Sequence, residues 1–300
     1  FPLNDTAKKT EAQQLFKEVI DYATARNKYW MANMDAWNQS WLHENDNKYA
    51  IFEIQYITEA GQGNPMVTLT VPSNPGTDWC GNNLVTGTHV YIERGLQLHF
   101  IAKDEITGEY IDKRADGTLN LKETIDEDGN IVTSKGNTFY TKYFESKVKR
   151  AKFGMSDMDA TIVDRSYWPQ NFQLLRIEDI MLLYAECVGN TIEGRELVNK
   201  IRRRAGLADL DINLSEEEFQ KAVQDERRYE LAEEGVRWFD LVRRNEYVDT
   251  IKQMFINDDD TENGTYRQYA NRVNADMYLY PIPQSQIEVR KGLYTQNKGY

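Results

Sequence analysis

ERRYELAEEGVRWFDLVRR, residues Glu226–Arg244, decides how this chain is read. The stretch has the spacing of a helix, yet charge falls on nearly every side of it. Glu226, Arg227, Arg228, Glu230, Glu233, Glu234, Arg237, Asp240, Arg243 and Arg244 are interleaved with Tyr229, Leu231, Trp238, Phe239 and Leu241. A surface helix keeps one clean apolar stripe. Large aromatics directly beside charges predict that some of the charges are partly buried, which is costly unless each finds a partner. Glu226 with Glu230, Glu233 with Arg237, and Asp240 with Arg244 are each four apart and share a face. Gly235 permits a helix end or bend. A charge lattice of this kind predicts a fixed docking seam between helices.

Upstream of this seam the chain turns helical at about residue 174. Leu174, Leu175, Ile177, Ile180, Met181, Leu183 and Tyr184 form a broad apolar face over 174–188. A second helix is expected over 194–205, closed by Gly206. A third, over 216–234, opens on a capping box of Ser215 and Glu218 and carries Phe219, Ala222 and Val223. Asn4 or Asp5 caps an N-terminal helix with Ala12, Leu15, Phe16, Val19 and Ile20 on one side. Lys48–Thr58, KYAIFEIQYIT, reads as a strand or a short extended segment. Residues 59–88, rich in Gly, Pro, Asn and Thr, read as a long loop, the kind of segment that often carries function. Turn signals at Thr107–Gly108, Asp116–Gly117, Asp128–Gly129 and Lys135–Gly136 predict exposed hairpins, so 100–145 is expected to be a surface excursion. Residues 270–300 read as a tail with little helix potential. No 34-residue helical repeat is legible.

Composition narrows the function. No stretch approaches the ~20 apolar residues that a membrane-spanning helix needs. The net charge of −12 over 300 residues argues against a nucleic-acid partner. Arg202–Arg204, the one tight basic cluster, falls at a helix end, where cations meet the dipole favourably. That reading is preferred to a phosphate site. The two cysteines, Cys80 and Cys187, make neither a disulfide framework nor a metal set, and Cys187 is expected to be a buried thiol. His43, His89 and His99 have no paired spacing.

Three chemistries have candidate residues in this chain. Hydrolysis of a glycoside needs two carboxylates flanking one bond. Glu226 and Glu230 have a suitable spacing, but Arg227 and Arg228 beside them favour ion pairs, which suit no general acid. Asp259, Thr261, Asn263 and Gly264 begin like a calcium loop, yet Ala270 stands where the bidentate Glu belongs, so a solvated acidic turn is expected. Sugar binding needs flat aromatic faces with amides nearby. Trp79 lies in Asp78-Trp79-Cys80-Gly81-Asn82-Asn83, and Trp79, Asn82, Asn83, Tyr91, Trp41 and Trp168 are the candidate glycan-binding residues. No catalytic residue, cofactor or metal is assigned.

Four motifs add a family resemblance. The opening stretch resembles the C-terminal signature of the SusD/RagB family, glycan-capture lipoproteins on the outer surface of Bacteroidetes-type bacteria. Arg176–Glu186, RIEDIMLLYAE, and Val198–Leu207, VNKIRRRAGL, are similar to two of its helical elements. Tyr280–Pro283, YPIP, with Gln296, Asn297, Gly299 and Tyr300, resembles its closing segment, with Lys298 in place of a proline and Arg290 where an Asn is common. The match is strongest over 174–300 and loose over 1–165.

The resemblance implies a mainly α, SusD-like fold: a tetratricopeptide-related helical body with long loops and short β-hairpins, here one domain over 1–300 that enters near the end of the family's N-terminal repeats. It implies a non-catalytic outer-membrane lipoprotein of polysaccharide utilisation. Such a protein captures glycan and covers a SusC-like TonB-dependent transporter, its lipid anchor lying outside this chain. It transfers no individual site residue, because the family's binding residues lie outside its shared motifs. A peptide- or other-nutrient-binding scaffold of the same transporter complex is the alternative, and a glycoside hydrolase a further one.

Overall fold

Helices carry the architecture of the computed structural model, which describes residues 6–45, 48–59, 61–66, 70, 92–120, 123–125, 131–133, 139–144, 150–151, 153–155, 168–257, 266–290 and 292–300. Among the described residues there are eleven helices and six short strands, in agreement with the mainly α expectation. The described residues divide into two units, one formed by 6–92 and 96–235 and the other by 93–95 and 236–300.

The larger unit is organised around α5 (Ile177–Val188). It packs against α1 (Thr6–Ala25), α6 (Ile192–Arg204) and α7 (Glu216–Glu230). Their shared core holds Ala23, Ile177, Ile180, Met181, Leu182, Ala185, Val198, Ile201, Phe219 and Val223. Local chemistry sets the boundaries. Glu178 and Asp179 lie in the first turn of α5, where carboxylates suit the dipole, and Gly189 ends the helix at φ +71. Thr191 caps α6 by accepting from the Gly194 N–H at 3.0 Å. Gly206, at φ +80, closes α6 as expected. The capping box before α7 is present: Ser215 Oγ accepts from the Glu218 N–H at 3.2 Å, and the Glu218 carboxylate accepts from the Ser215 N–H at 2.8 Å.

The strand expected within 48–58 is β1 (Ala50–Ile54). It pairs antiparallel with β6 (Phe172–Arg176), Ile54 opposite Phe172 and Ala50 opposite Arg176, with two irregularities in register. The helix expected from 174 therefore begins at Ile177. Leu174 and Leu175 belong to β6, whose Leu175 turns inward against the α5 core.

Part of the stretch 100–145, expected to be a surface excursion, supplies core residues, while 104–109 are exposed. Before β1 the chain forms α2 (Met34–Gln39), and between β1 and β6 it forms α3 (Arg94–Ile101) and α4 (Ala115–Thr118). Strands β2 (Leu119–Asn120) and β5 (Phe139–Tyr140) pair, as do β3 (Glu123–Ile125) and β4 (Ile131–Thr133). Ala115 and Leu119 join Ile92, Leu96, Phe100 and Ala232 in a second core. Tyr143 joins Met31, Trp37 and Trp41 in a third. Gly117, read as a hairpin turn, sits in α4 against α2. Thr107 and Gly108 are exposed as expected, and Asp128–Gly129 and Lys135–Gly136 lie outside the described residues; at Gly117 the bend is buried instead, because a tight bend serves equally well wherever two elements must approach closely.

The opening stretch is two helices. α7 stops at Glu230, Glu233 and Gly235 take left-handed conformations at φ +70 and +76, and α8 (Arg237–Arg243) follows. The break at Gly235 is the one anticipated. In the smaller unit, α8 is followed by α9 (Tyr247–Asn257), α10 (Arg267–Ala270) and α11 (Gln284–Val289), the last a single short helix in the expected tail. Trp238 packs edgewise on Tyr247 at 5.7 Å, and the Tyr247 hydroxyl donates to the Ala275 carbonyl. Among the described residues no helix is long and apolar enough to cross a membrane.

A Cβ added at Gly117 would lie 2.5 Å from the Trp37 ring and 2.2 Å from the Asn38 side-chain oxygen. Gly117→Ala is expected to destabilise the protein by about 1–3 kcal/mol through overpacking, read as a lower urea midpoint. Gly61→Ala meets nothing within 4 Å and serves as the comparison for backbone strain alone, since Gly61 has φ +76.

Candidate functional site

The charges of α7 are drawn into the interior. Glu230 is completely buried, and its carboxylate is the acceptor on which three arginines converge. Arg114 Nη1 lies 2.8 Å from Glu230 Oε2 and 2.7 Å from Glu226 Oε1, bridging two carboxylates one helical turn apart. Arg176 Nη1 donates to Glu230 Oε1 at 2.7 Å, and Arg204 Nη2 donates to the same oxygen. The indole Nε1 of Trp37 adds a fourth donor at 3.1 Å.

Each cation has a second carboxylate on its far side. Arg114 grips Asp112 through Nε and Nη2 at 2.9 and 2.7 Å. Arg176 holds Glu234 through Nε and Nη2 at 2.7 and 2.8 Å, and Arg204 holds Glu178. Lys142 Nζ donates to Glu234 Oε1 at 2.8 Å and to the Glu230 carbonyl at 3.0 Å, over the Trp37 and Trp41 rings at 5.3 and 5.0 Å. Five carboxylates, of Asp112, Glu178, Glu226, Glu230 and Glu234, thus meet four buried cations. Arg202 reaches Glu226 from the rim at 3.3 Å. Near-complete pairing is what makes burial of so many charges tolerable.

Proton affinities follow from this geometry. Burial pushes the Glu230 carboxyl up, but the guanidiniums of Arg204, Arg176 and Arg114 outweigh it and hold it well below the usual range. Burial also raises Asp112, and Arg114 with a hydrogen bond from His99 more than reverses that. Burial lowers the Lys142 ammonium, a pull only partly offset by Glu234. Glu230 and Asp112 are carboxylates at neutral pH and have no proton to give as a general acid. The cluster is a scaffold.

Arg203 pairs with Glu196 and Asp209 at the surface. Arg204 enters the buried lattice, so the basic run is used by carboxylates. Asp240 pairs with Arg243 at 2.9 Å, three residues on, and Arg244 with Glu246 at 3.3 Å. Cys187 is half-buried. His99 hydrogen-bonds Asp112 at 2.8 Å and stacks flat on Tyr229 at 3.4 Å.

Trp41 and Trp168 correct the glycan-platform expectation. They are 1 % and 4 % exposed. Trp41 packs edgewise on Trp37 and Tyr143, and Trp168 lies against Phe144. Neither indole offers a face to a sugar, and an indole at a core edge has the same local sequence as an exposed one. Trp79, Asn82, Asn83, Tyr91, His89, Cys80 and the acidic turn at 258–264 lie outside the described residues. Among the described residues no group of three or more His, Cys, Asp or Glu could hold a metal ion. Sequence reasoning missed Asp112, Arg114 and Lys142, because nothing within their own stretch signals partners about 90 to 116 residues away. It also missed Tyr280, 72 % exposed and packed on Trp238 at 5.9 Å.

Glu230→Gln removes the charge that three guanidiniums share. A loss of about 3–5 kcal/mol is expected, read by urea unfolding, whereas Arg203→Ala should leave the midpoint unchanged. Equal effects would contradict the central place of Glu230. The pH dependence has a definite sign. Glu230 and Asp112 titrate lower in the folded than in the unfolded chain, so unfolding takes up protons between the two values. Their stabilisation is fully present above about pH 4 and is lost as pH falls through the folded values. Thermal scans should show Tm dropping below about pH 4, with a shallower acid-side slope in Asp112→Asn; an identical slope would refute the assignment.

Comparison with known proteins places this fold. The SusD family model matches residues 4–300. SusD-like protein P38 of Formosa agariphila is 37 % identical over 92 residues, 27 % of this chain and 18 % of the relative. SusD-like protein P25 of the same bacterium is 29 % identical over 139 residues, 42 % of this chain and 24 % of the relative. Among solved structures, surface glycan-binding protein A from Bacteroides uniformis superposes with a TM-score of 0.70 at 23 % identity, over 99 % of this chain and 58 % of its own. The Bacteroides thetaiotaomicron surface glycan-binding protein A in complex with laminarihexaose gives 0.68 at 19 % identity, over 99 % and 61 %. The chain therefore spans about a fifth of the curated relatives' length and about three-fifths of the solved ones. With its family model matched from residue 4 to residue 300, the chain belongs to the SusD/RagB family.

Proposed function

We propose that the protein is a non-catalytic glycan-capture protein of the outer membrane's extracellular face. Held there by a lipid anchor, it delivers oligosaccharide to a SusC-like TonB-dependent transporter. The observation that carries this reading is family membership over residues 4–300, joined to a fold shared with surface glycan-binding proteins, one of them in complex with laminarihexaose. The buried lattice supports it from the chemical side, since the fully buried Glu230 and Asp112 have given up their protons to ion pairing and cannot serve as acids on a glycosidic bond.

Capture of this kind is stacking and hydrogen bonding. The apolar face of a pyranose lies on a flat aromatic ring, and planar amides bond its hydroxyls. Trp79 with Asn82 and Asn83, and Tyr91 beyond them, supply that combination. Trp41 and Trp168 are withdrawn from the platform by their burial.

Affinity electrophoresis through gels containing laminarin, starch or another polysaccharide tests the reading, with wild type and Trp79→Ala side by side. Retardation by one glycan, weakened about ten-fold or more in the variant as expected for loss of a central aromatic anchor, is the expected result. No retardation in any gel would favour a peptide or other nutrient as the ligand. Release of reducing sugar would overturn the non-catalytic part.

A further inference from the structure

The third core, built on Met31, Trp37, Trp41 and Tyr143, is not wholly apolar. Four side-chain groups within or against it make no hydrogen bond among the described residues. They are the indole Nε1 of Trp41, the hydroxyl of Tyr143 and the amide oxygens of Gln170 and Gln173. All four residues are 4 % exposed or less. Buried polar groups are nearly always hydrogen-bonded, and each exception calls for a cause. A group left unmet forfeits the hydrogen bonds that solvent gave it in the unfolded chain.

The four groups belong to one place. Trp41 and Tyr143 meet edgewise, their ring centroids 5.4 Å apart. The Tyr143 ring stacks at 4.8 Å on Phe172, the neighbour of Gln173 in β6. Gln170 Nε2 donates to the Trp41 carbonyl and, at 3.1 Å, to the Lys142 carbonyl. Gln173 Nε2 donates at 3.1 Å to the Ser40 carbonyl. These bonds fix both amides in orientation. Turned over, each would set its oxygen against a carbonyl oxygen, so each amide oxygen must find its donor elsewhere.

The chemistry of the set identifies what completes it. The indole N–H can only donate, and the amide oxygens can only accept. An anion would meet the indole and repel the amide oxygens. A cation would do the reverse, and an apolar molecule would meet neither. Water donates and accepts, and a buried water makes about three hydrogen bonds. Lys142 and Arg176 lie over the Trp41 ring at 5.0 and 5.6 Å, so the set borders the ion-pair lattice, where enclosed hydrogen bonds are strong. We propose that the third core is an internal water-binding site. About two molecules bridge Trp41 Nε1 and the Tyr143 hydroxyl to Gln170 Oε1 and Gln173 Oε1. The waters are structural ligands. They join the stretches 40–41, 142–143 and 170–173 and add to the direct amide–carbonyl bonds between them. They are needed whichever ligand the protein captures.

Two measurements on the 300-residue chain test this. A high-resolution crystal structure should show ordered water about 2.5–3.2 Å from at least one donor and one acceptor of the set. Dry contact there overturns the proposal, as do the four groups bonded directly to one another, or an ion or crystallisation additive in that place. Tyr143→Phe removes one oxygen and keeps the ring, which separates a hydroxyl that water meets from one that nothing meets. Its urea midpoint should fall with the slope of the transition unchanged, because a satisfied hydroxyl is lost. A midpoint that stays or rises overturns the proposal, since deleting an unmet buried hydroxyl relieves its desolvation. Either contrary result is sufficient.

Discussion

Glu230 cannot be buried alone. A carboxylate taken out of water costs several kcal/mol even after relaxation, and this one is fully enclosed. Its place in the fold therefore requires Arg114, Arg176, Arg204 and Trp37 to arrive together. Each arginine brings its own element: Arg114 the segment before α4, Arg176 the end of β6, Arg204 the last turn of α6. The three surrounding cores are then brought into register around one set of charges. Apolar packing supplies the bulk of the driving force, but it is indifferent to small slips. Guanidinium–carboxylate pairs are not, because their hydrogen bonds fade within a fraction of an ångström and a few tens of degrees.

The same constraint explains what the family motifs are for. Arg176 and Glu178 belong to RIEDIMLLYAE, Arg204 to VNKIRRRAGL, and Glu226, Glu230 and Glu234 to ERRYELAEEG. In the fold these three motifs meet at one place. Their charges are spent on one another and on Asp112, Arg114 and Lys142. The recognisable part of the sequence is thus the frame. The closing motif does a parallel task by other means, its Gln296 and Asn297 clamping the YPIP main chain and leaving the aromatic ring of Tyr280 turned outward.

Local signals were legible where the physics is local. The capping box of Ser215 and Glu218, the glycine ends of α5 and α6, and the break at Gly235 each depend on a few neighbouring residues, and each is found. The charge lattice was legible as a requirement, since aromatic and charged residues so interleaved must bury some charge. Its partners were not. Arg114 lies 112 and 116 residues from the two glutamates it bridges, and its own surroundings, rich in turn residues, suggested an exposed hairpin.

The sequence by itself determined the helical class, the helix ends, the need for buried ion pairs and the family. Periodicity, capping and motif spacing act within a few residues of chain, so they survive being read in one dimension. Tertiary structure alone decided which cations meet Glu230, that Trp41 and Trp168 are core, and that part of 100–145 supplies core residues. Those outcomes depend on which distant surfaces meet. A tryptophan or an arginine has the same sequence whether its face is covered by another element or by water.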